Sequence, residues 1–120
     1  MSKKTLVVGA SLNPDRYSNI AIKRLVKHQH EVVAFGLRSG QVAGVTISTT
    51  WDAFANIHTV TLYLNPERQK AYYQAILAVK PKRVVFNPGT ENPEFYALLK
   101  AANIKSEVAC TLVLLATNQY

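Results

Sequence analysis

The chain reads as an α/β domain, with a mainly parallel sheet of five or six strands between two layers of helix. Three observations predict this. Short apolar runs alternate with segments of helical periodicity along the whole length. The first run, Leu6-Val7-Val8, stops at Gly9, and a polar turn and a helix-like pattern follow. Two later runs are each followed by the same opening, Asn65-Pro66-Glu67 and Asn92-Pro93-Glu94. That triplet joins a capping side chain, a proline preset for the first helical position and an acid facing the helix dipole.

Residues 5–8 form the first strand. Residues 18–29 read as a helix, with Ile22, Leu25 and Val26 on one face and Lys23, Arg24 and Lys27 turned away. Residues 31–35 are the second strand. Gly36, Gly40 and Gly44 then mark a loop, residues 45–47 a short edge strand, and residues 50–54 a short capped helix. Residues 58–64 return to the sheet. The helix opened by Asn65 sets Tyr72, Ala75, Ile76 and Val79 on one stripe, and Pro81 stops it. Residues 83–86 are a strand, and the helix after Asn92 buries Phe95, Leu98, Leu99 and Ala102. Residues 104–109 complete the sheet, and residues 111–116 read as a closing helical turn. Such alternation calls for right-handed crossovers and helices on both faces, a three-layer α/β/α arrangement. Residues 1–120 are enough for one domain with one core.

Lys and Arg total 14 against 7 Asp and Glu, a net charge of +7 that favours an anionic partner. Nucleic acid fits poorly. Lys3, Lys23, Lys27, Arg68, Lys80, Lys82 and Lys105 are scattered, few aromatics interleave with them, and no nucleic-acid-binding signature appears. A membrane fits no better, since no basic helix carries an aromatic insertion face and no apolar run reaches spanning length. A phosphorylated small molecule remains. Cys110 is the one cysteine, which rules out an internal disulfide and fits a reducing, cytoplasmic setting. His28 and His30 are two apart and share no helix face, so no metal pair is expected. The three histidines, His28, His30 and His58, fall in no recognisable acid–base motif, and no catalytic set emerges.

In open parallel sheets, ligands sit beyond the carboxyl ends of the strands. Four loops qualify here: residues 10–18, 36–44, 64–66 and 87–92. The first offers backbone amides after Gly9 and Ala10, the hydroxyls of Ser11 and Ser18, and the Arg16 guanidinium, a set suited to a pyrophosphate at a helix terminus. The full G-x-G-x-x-G is missing. The second strand ends Phe35-Gly36-Leu37-Arg38, without the acid that an NAD ribose requires. Arg38 suits an extra ribose phosphate, which allows NADP or coenzyme A; its bland alternative is a solvated loop charge. Tyr63 and Leu64, with Asn65 and Pro66, suit a flat wall for adenine, although Tyr63 fits a core position equally. Asn87 and Gly89 belong to a polar turn fit for a pocket floor. Cys110 is either a small buried residue or a thiol able to meet another thiol.

Together these residues resemble a known family. Gly9-Ala10-Ser11, the step Asn13-Pro14-x-Arg16, the strand Glu31-Val32-Val33, the turn Asn87-Pro88-Gly89-Thr90-Glu91-Asn92 and Cys110 are similar to the small bacterial CoA-binding domain proteins, the YccU-like group. That group is related to the CoA-binding domain of the succinyl-CoA synthetase alpha subunit. The resemblance implies a Rossmann-like fold with a CoA pocket. Gly9, Ala10, Ser11, Arg16, Tyr17, Ser18 and Asn19 would meet the phosphates, and Arg38 would stand where relatives carry a basic residue. Phe35-Gly36-Leu37 replaces the family's Asn-Pro step, and Thr111 stands where proline is common. The expectation is non-catalytic binding of coenzyme A or an acyl-CoA by a carrier, sensor or regulatory module, with NADP ranked behind. The alternative is a small NADP-dependent or acyl-CoA-handling enzyme. A homodimer or a protein partner stays open.

Overall fold

The computed structural model describes residues 2–120. The first apolar run becomes β1 (Thr5–Ala10) at the heart of the sheet. The strands that follow are β2 (Val32–Gly36), β3 (Gly40–Val42), β4 (Val45–Ser48), β5 (Thr59–Leu62), β6 (Arg83–Phe86) and β7 (Lys105–Val108). They lie in the order β3-β4-β2-β1-β5-β6-β7. Every neighbouring pair is parallel except β3 with β4. The helices are α1 (Tyr17–Lys27), α2 (Pro66–Gln69), α3 (Tyr73–Val79), α4 (Pro93–Ala101) and α5 (Thr111–Ala116), with a 3₁₀ turn at Lys70–Tyr72.

Alternation along β1, interrupted by a register shift between Val8 and Ala10, divides the core. Leu6 and Val8 face one side, where Tyr73, Ile76, Phe95 and Leu99 of α3 and α4 cover Val60, Leu62, Val84 and Phe86. Val7 and Ala10 face the other, where Ile22 and Leu25 of α1 and Leu114 and Leu115 of α5 cover Ala34, Ile47 and Val85. This is the expected Rossmann-like three-layer arrangement. Among the described residues, no helix is long and apolar enough to cross a membrane.

The sheet has seven strands, not five or six. The glycine loop holds the extra one: Gly40 pairs with Ile47 and Val42 with Val45, antiparallel. Ala43 and Gly44, at φ 50° and 80°, supply the left-handed turn that a tight hairpin requires, and Val42 and Val45 are buried by it. Residues 50–54 are not helical. The Asp52 carboxylate accepts from the hydroxyls of Ser48 (2.8 Å) and Thr50 (3.1 Å), which turns it back toward β4 and away from a capping role. Trp51 packs edge-on against Phe35, with centroids 5.0 Å apart, and stacks on Tyr72.

The helix opened by Asn65 is broken at residues 70–72. Tyr72 turns to Phe35 (5.2 Å) while the adjacent Tyr73 stacks on Phe95 (4.4 Å), so consecutive aromatics serve different neighbours. Lys80, left-handed at φ 53°, ends α3 just before Pro81. Val26 and Ala102, expected to point inward, are exposed.

Candidate functional site

The site begins with two glycines. Gly9 is left-handed at φ 93°, and a Cβ there would lie 3.1 Å from the Tyr63 backbone. A Cβ on Gly36 would collide with the Ala10 carbonyl. Both residues let the ends of β2 and β5 close in on the end of β1. The chain builds from β1 toward β2 and then resumes with β5 on the other flank, so the sheet reverses direction here. A cleft of about 500 Å³ opens above that switch point.

Its first wall is the turn from β1 into α1: Gly9, Ala10, Ser11, Leu12, Arg16, Tyr17 and Ser18. Arg16 is the N-cap residue, extended at φ −82°, ψ 141°, and its side chain does not cap. No acid stands in the first turn of α1. The Asn19 and Ile20 amides donate to the Arg16 carbonyl, at 3.1 and 3.2 Å. Among the described residues, those of Tyr17 and Ser18 have no partner. The turn is stiffened from inside. Asn13 Oδ1 accepts from the Asp15 amide at 2.9 Å, and Asn19 Nδ2 donates to the Ser11 carbonyl at 2.9 Å. Free amides at a helix start favour an anion through geometry and dipole together.

Phe35, Gly36, Leu37 and Arg38, at the end of β2, form the second wall. The third comprises Tyr63, Leu64, Asn65, Arg68 and Tyr72. Asn65 Oδ1 accepts from the Arg68 amide at 2.9 Å, the cap that the Asn-Pro-Glu start predicts. Gln69 is fully buried and donates to the carbonyls of Leu64 (2.9 Å) and Thr90 (2.8 Å), while Asn92 donates to it at 2.9 Å. That side chain fastens α2 to the loop before α4, whose Pro88, Gly89 and Thr90 close the cleft.

Eleven of the residues expected at the site converge on this one cleft: Gly9, Ala10, Ser11, Arg16, Tyr17, Ser18, Arg38, Tyr63, Leu64, Asn65 and Gly89. Asn19, Pro66 and Asn87 stand outside its lining. Asn87 is buried beneath it and donates to Thr61 Oγ1 (2.7 Å) and the Leu62 carbonyl (2.8 Å), while accepting from the Thr111 amide (2.8 Å). It joins β5, β6 and α5. Cys110 is the half-buried N-cap residue of α5 and does not line the cleft. Arg68, Tyr72 and Phe35 were not anticipated. Arg68 carried a signal, because the Asn65 cap fixes the helical register three residues before it.

The electrostatics are one-sided. No aspartate or glutamate lines the cleft. Among the described residues Arg16, Arg38 and Arg68 are not ion-paired, and Glu67, beside Arg68, pairs with Lys70 at 3.4 Å. The Tyr63 hydroxyl is buried near those of Thr61 and Thr111, which bond each other at 2.8 Å and leave it without a partner. Burial pushes the phenol up to about 12, so it stays neutral near pH 7. Among the described residues no three His, Cys, Asp or Glu side chains gather as a metal set.

A family model described as a CoA binding domain matches residues 3–116. A crystal structure of an uncharacterized protein superposes with a TM-score of 0.97 at 42% identity, over 100% of this chain and 99% of that one. A protein from Thermus thermophilus superposes at 0.87 with 20% identity, over 99% and 91% of the two chains. A hypothetical protein from Pyrococcus horikoshii does so at 0.86 with 24% identity, over 98% and 84%. These last two likenesses concern the fold alone. No curated protein matches the chain.

Proposed function

This chain belongs to the CoA-binding domain family, and from that membership we propose that it binds coenzyme A or an acyl-CoA in the cleft above β1. It works as a cytoplasmic carrier, sensor or regulatory module. One observation carries the reading: an uncapped α1 terminus and three unpaired arginines share an acid-free cleft. Coenzyme A carries a diphosphate and a ribose phosphate. The diphosphate meets the Tyr17 and Ser18 amides and the Arg16 guanidinium. Each charge-assisted bond contributes roughly 1.5–3 kcal/mol once water is excluded. Arg38 faces the ribose phosphate, and adenine packs against the loop at Tyr63, Leu64 and Asn65.

The lining contains neither histidine nor carboxylate for general acid–base work, which favours a binding module over the enzyme alternative. Isothermal titration with CoA, acetyl-CoA, NADP, NAD and ATP tests the reading. CoA or acetyl-CoA should bind tightest, by about tenfold. Equal affinity for all five, or a preference for NADP, overturns it.

A further inference from the structure

Two of the three cleft arginines flank an aromatic floor. Phe35 and Tyr72 meet with ring centroids 5.2 Å apart, and both line the cleft. Arg38 stands three residues beyond Phe35, where β2 gives way to the loop. Arg68 stands on α2, one short turn before Tyr72. The floor therefore joins two elements that each present a guanidinium to the same space, while Arg16 stands apart at α1. Arg68 is held in place from below: its amide is bonded by Asn65, and the next residue, Gln69, is fully buried with three hydrogen bonds. Its neighbour Glu67 is paired with Lys70 instead. Both guanidinium groups thus lack a carboxylate partner among the described residues.

We infer that Arg68 is a specificity-determining residue that reads, together with Arg38, a phosphomonoester on the adenosine ribose while the purine lies against Tyr63 and Leu64. The inference rests on the nucleotide reading above and sharpens it. A dianionic monoester presents three acceptor oxygens and can take more than one guanidinium, whereas a nucleotide without it leaves both cations without an anion in the shared cleft. Coenzyme A carries this group at the 3′ position and NADP at the 2′ position, so the chemistry is shared and the test separates the sources.

The test titrates wild type, Arg68→Ala, Arg68→Gln and Arg68→Lys with four probes: CoA, 3′-dephospho-CoA, NADP and NAD. Arg68→Ala and Arg68→Gln should weaken the phosphorylated member of a pair by about tenfold or more. The member without the monoester should change by less than about twofold, and Arg68→Lys should recover part of the loss. Arg68 is exposed, so the melting temperatures should match that of wild type. Equal losses for both members of a pair, or none, overturn the inference. If the wild type takes NADP but not CoA and the Arg68 dependence persists, the inference stands and the CoA reading falls. If CoA binds equally to all four proteins, the reverse holds. Binding of none of the four probes by the wild type overturns both.

Discussion

At the amino ends of the strands Arg83 is buried, whereas at the carboxyl ends Arg16, Arg38 and Arg68 are exposed around an open cleft. Arg83 uses its whole guanidinium. Nε donates to Thr59 Oγ1 (2.8 Å), Nη1 to Glu107 (3.1 Å) and Nη2 to the Tyr120 backbone oxygen (3.0 Å). Its plane also lies over the Tyr120 ring, 4.4 Å from the centroid. Lys3 donates to the same backbone oxygen at 2.6 Å, and Thr5 and Tyr120 join their hydroxyls at 2.6 Å. The same residue type does opposite work at the two ends. Below, each guanidinium nitrogen bonds inside the protein and the charge holds β5, β6 and β7 together. Above, the guanidinium groups are exposed and unpaired among the described residues, which adds nothing to stability and leaves their bonding capacity free.

The sharpest way to break this contrast is to empty the lower end. Arg83→Met removes three hydrogen bonds, leaves Glu107 only Lys105 at 3.9 Å, and should cost about 2 kcal/mol or more in urea unfolding, with ligand affinity of the folded fraction unchanged. A loss below about 1 kcal/mol would show that the lower network is decorative. At the upper end Arg38→Ala should do the reverse. Affinity for CoA should fall about tenfold and that for 3′-dephospho-CoA less than twofold, while unfolding moves by less than about 0.5 kcal/mol. Loss of stability without loss of affinity would erase the distinction.

Arg16→Asp sets the two quantities against each other at a single position. The extended N-cap backbone suits an aspartate, whose carboxylate would accept the free first-turn amides and stabilise the empty protein by about 1 kcal/mol. The same carboxylate occupies the anion position, so CoA binding should collapse. Thermal unfolding with and without CoA reads both signs at once.

The smallest expected effect is a pH dependence confined to the lower end. His30 and His58 have pKa values lowered from 6.5, first by burial and then by nearby cations: His28 and Lys3 for His30, Arg83 and Lys3 for His58. Protonation therefore favours the unfolded chain. Their contribution is intact above about pH 6.5 and is lost as pH falls below that value toward the lowered folded ones. His30 adds a structural reason, because its Nδ1 accepts from the Lys3 amide at 2.9 Å and loses that capacity when charged. Replacing both histidines with glutamine should flatten stability between about pH 7 and pH 5.

The elements most legible in the chain were those specified by neighbours in sequence. Asn65 and Asn92 cap α2 and α4 by accepting from Arg68 and Phe95, as the two Asn-Pro-Glu starts predict. The stop at Gly9 marks the end of the pocket-forming strand because only glycine tolerates its conformation so close to Tyr63. What escaped notice depended on distant partners. Gly40, Gln41 and Val42 carry no strand signal until β4 lies beside them. A capping pattern at residues 50–54 yields when Trp51 finds Phe35 and Tyr72. Asn87 looked like a pocket floor because its side chain is polar, yet that polarity is used up beneath the cleft, where three elements meet.

The sequence by itself determined most of the order of strands and helices, the parallel three-layer class and the place of the glycine-ended turn between β1 and α1. Periodicity, capping and turn preferences act over a few residues and need no partner. Only the tertiary structure decided that positions 16, 38 and 68 share one cleft and that position 83 lies buried at the opposite end. Those placements follow from the order of strands in the sheet, set by non-local packing that no short stretch of chain contains.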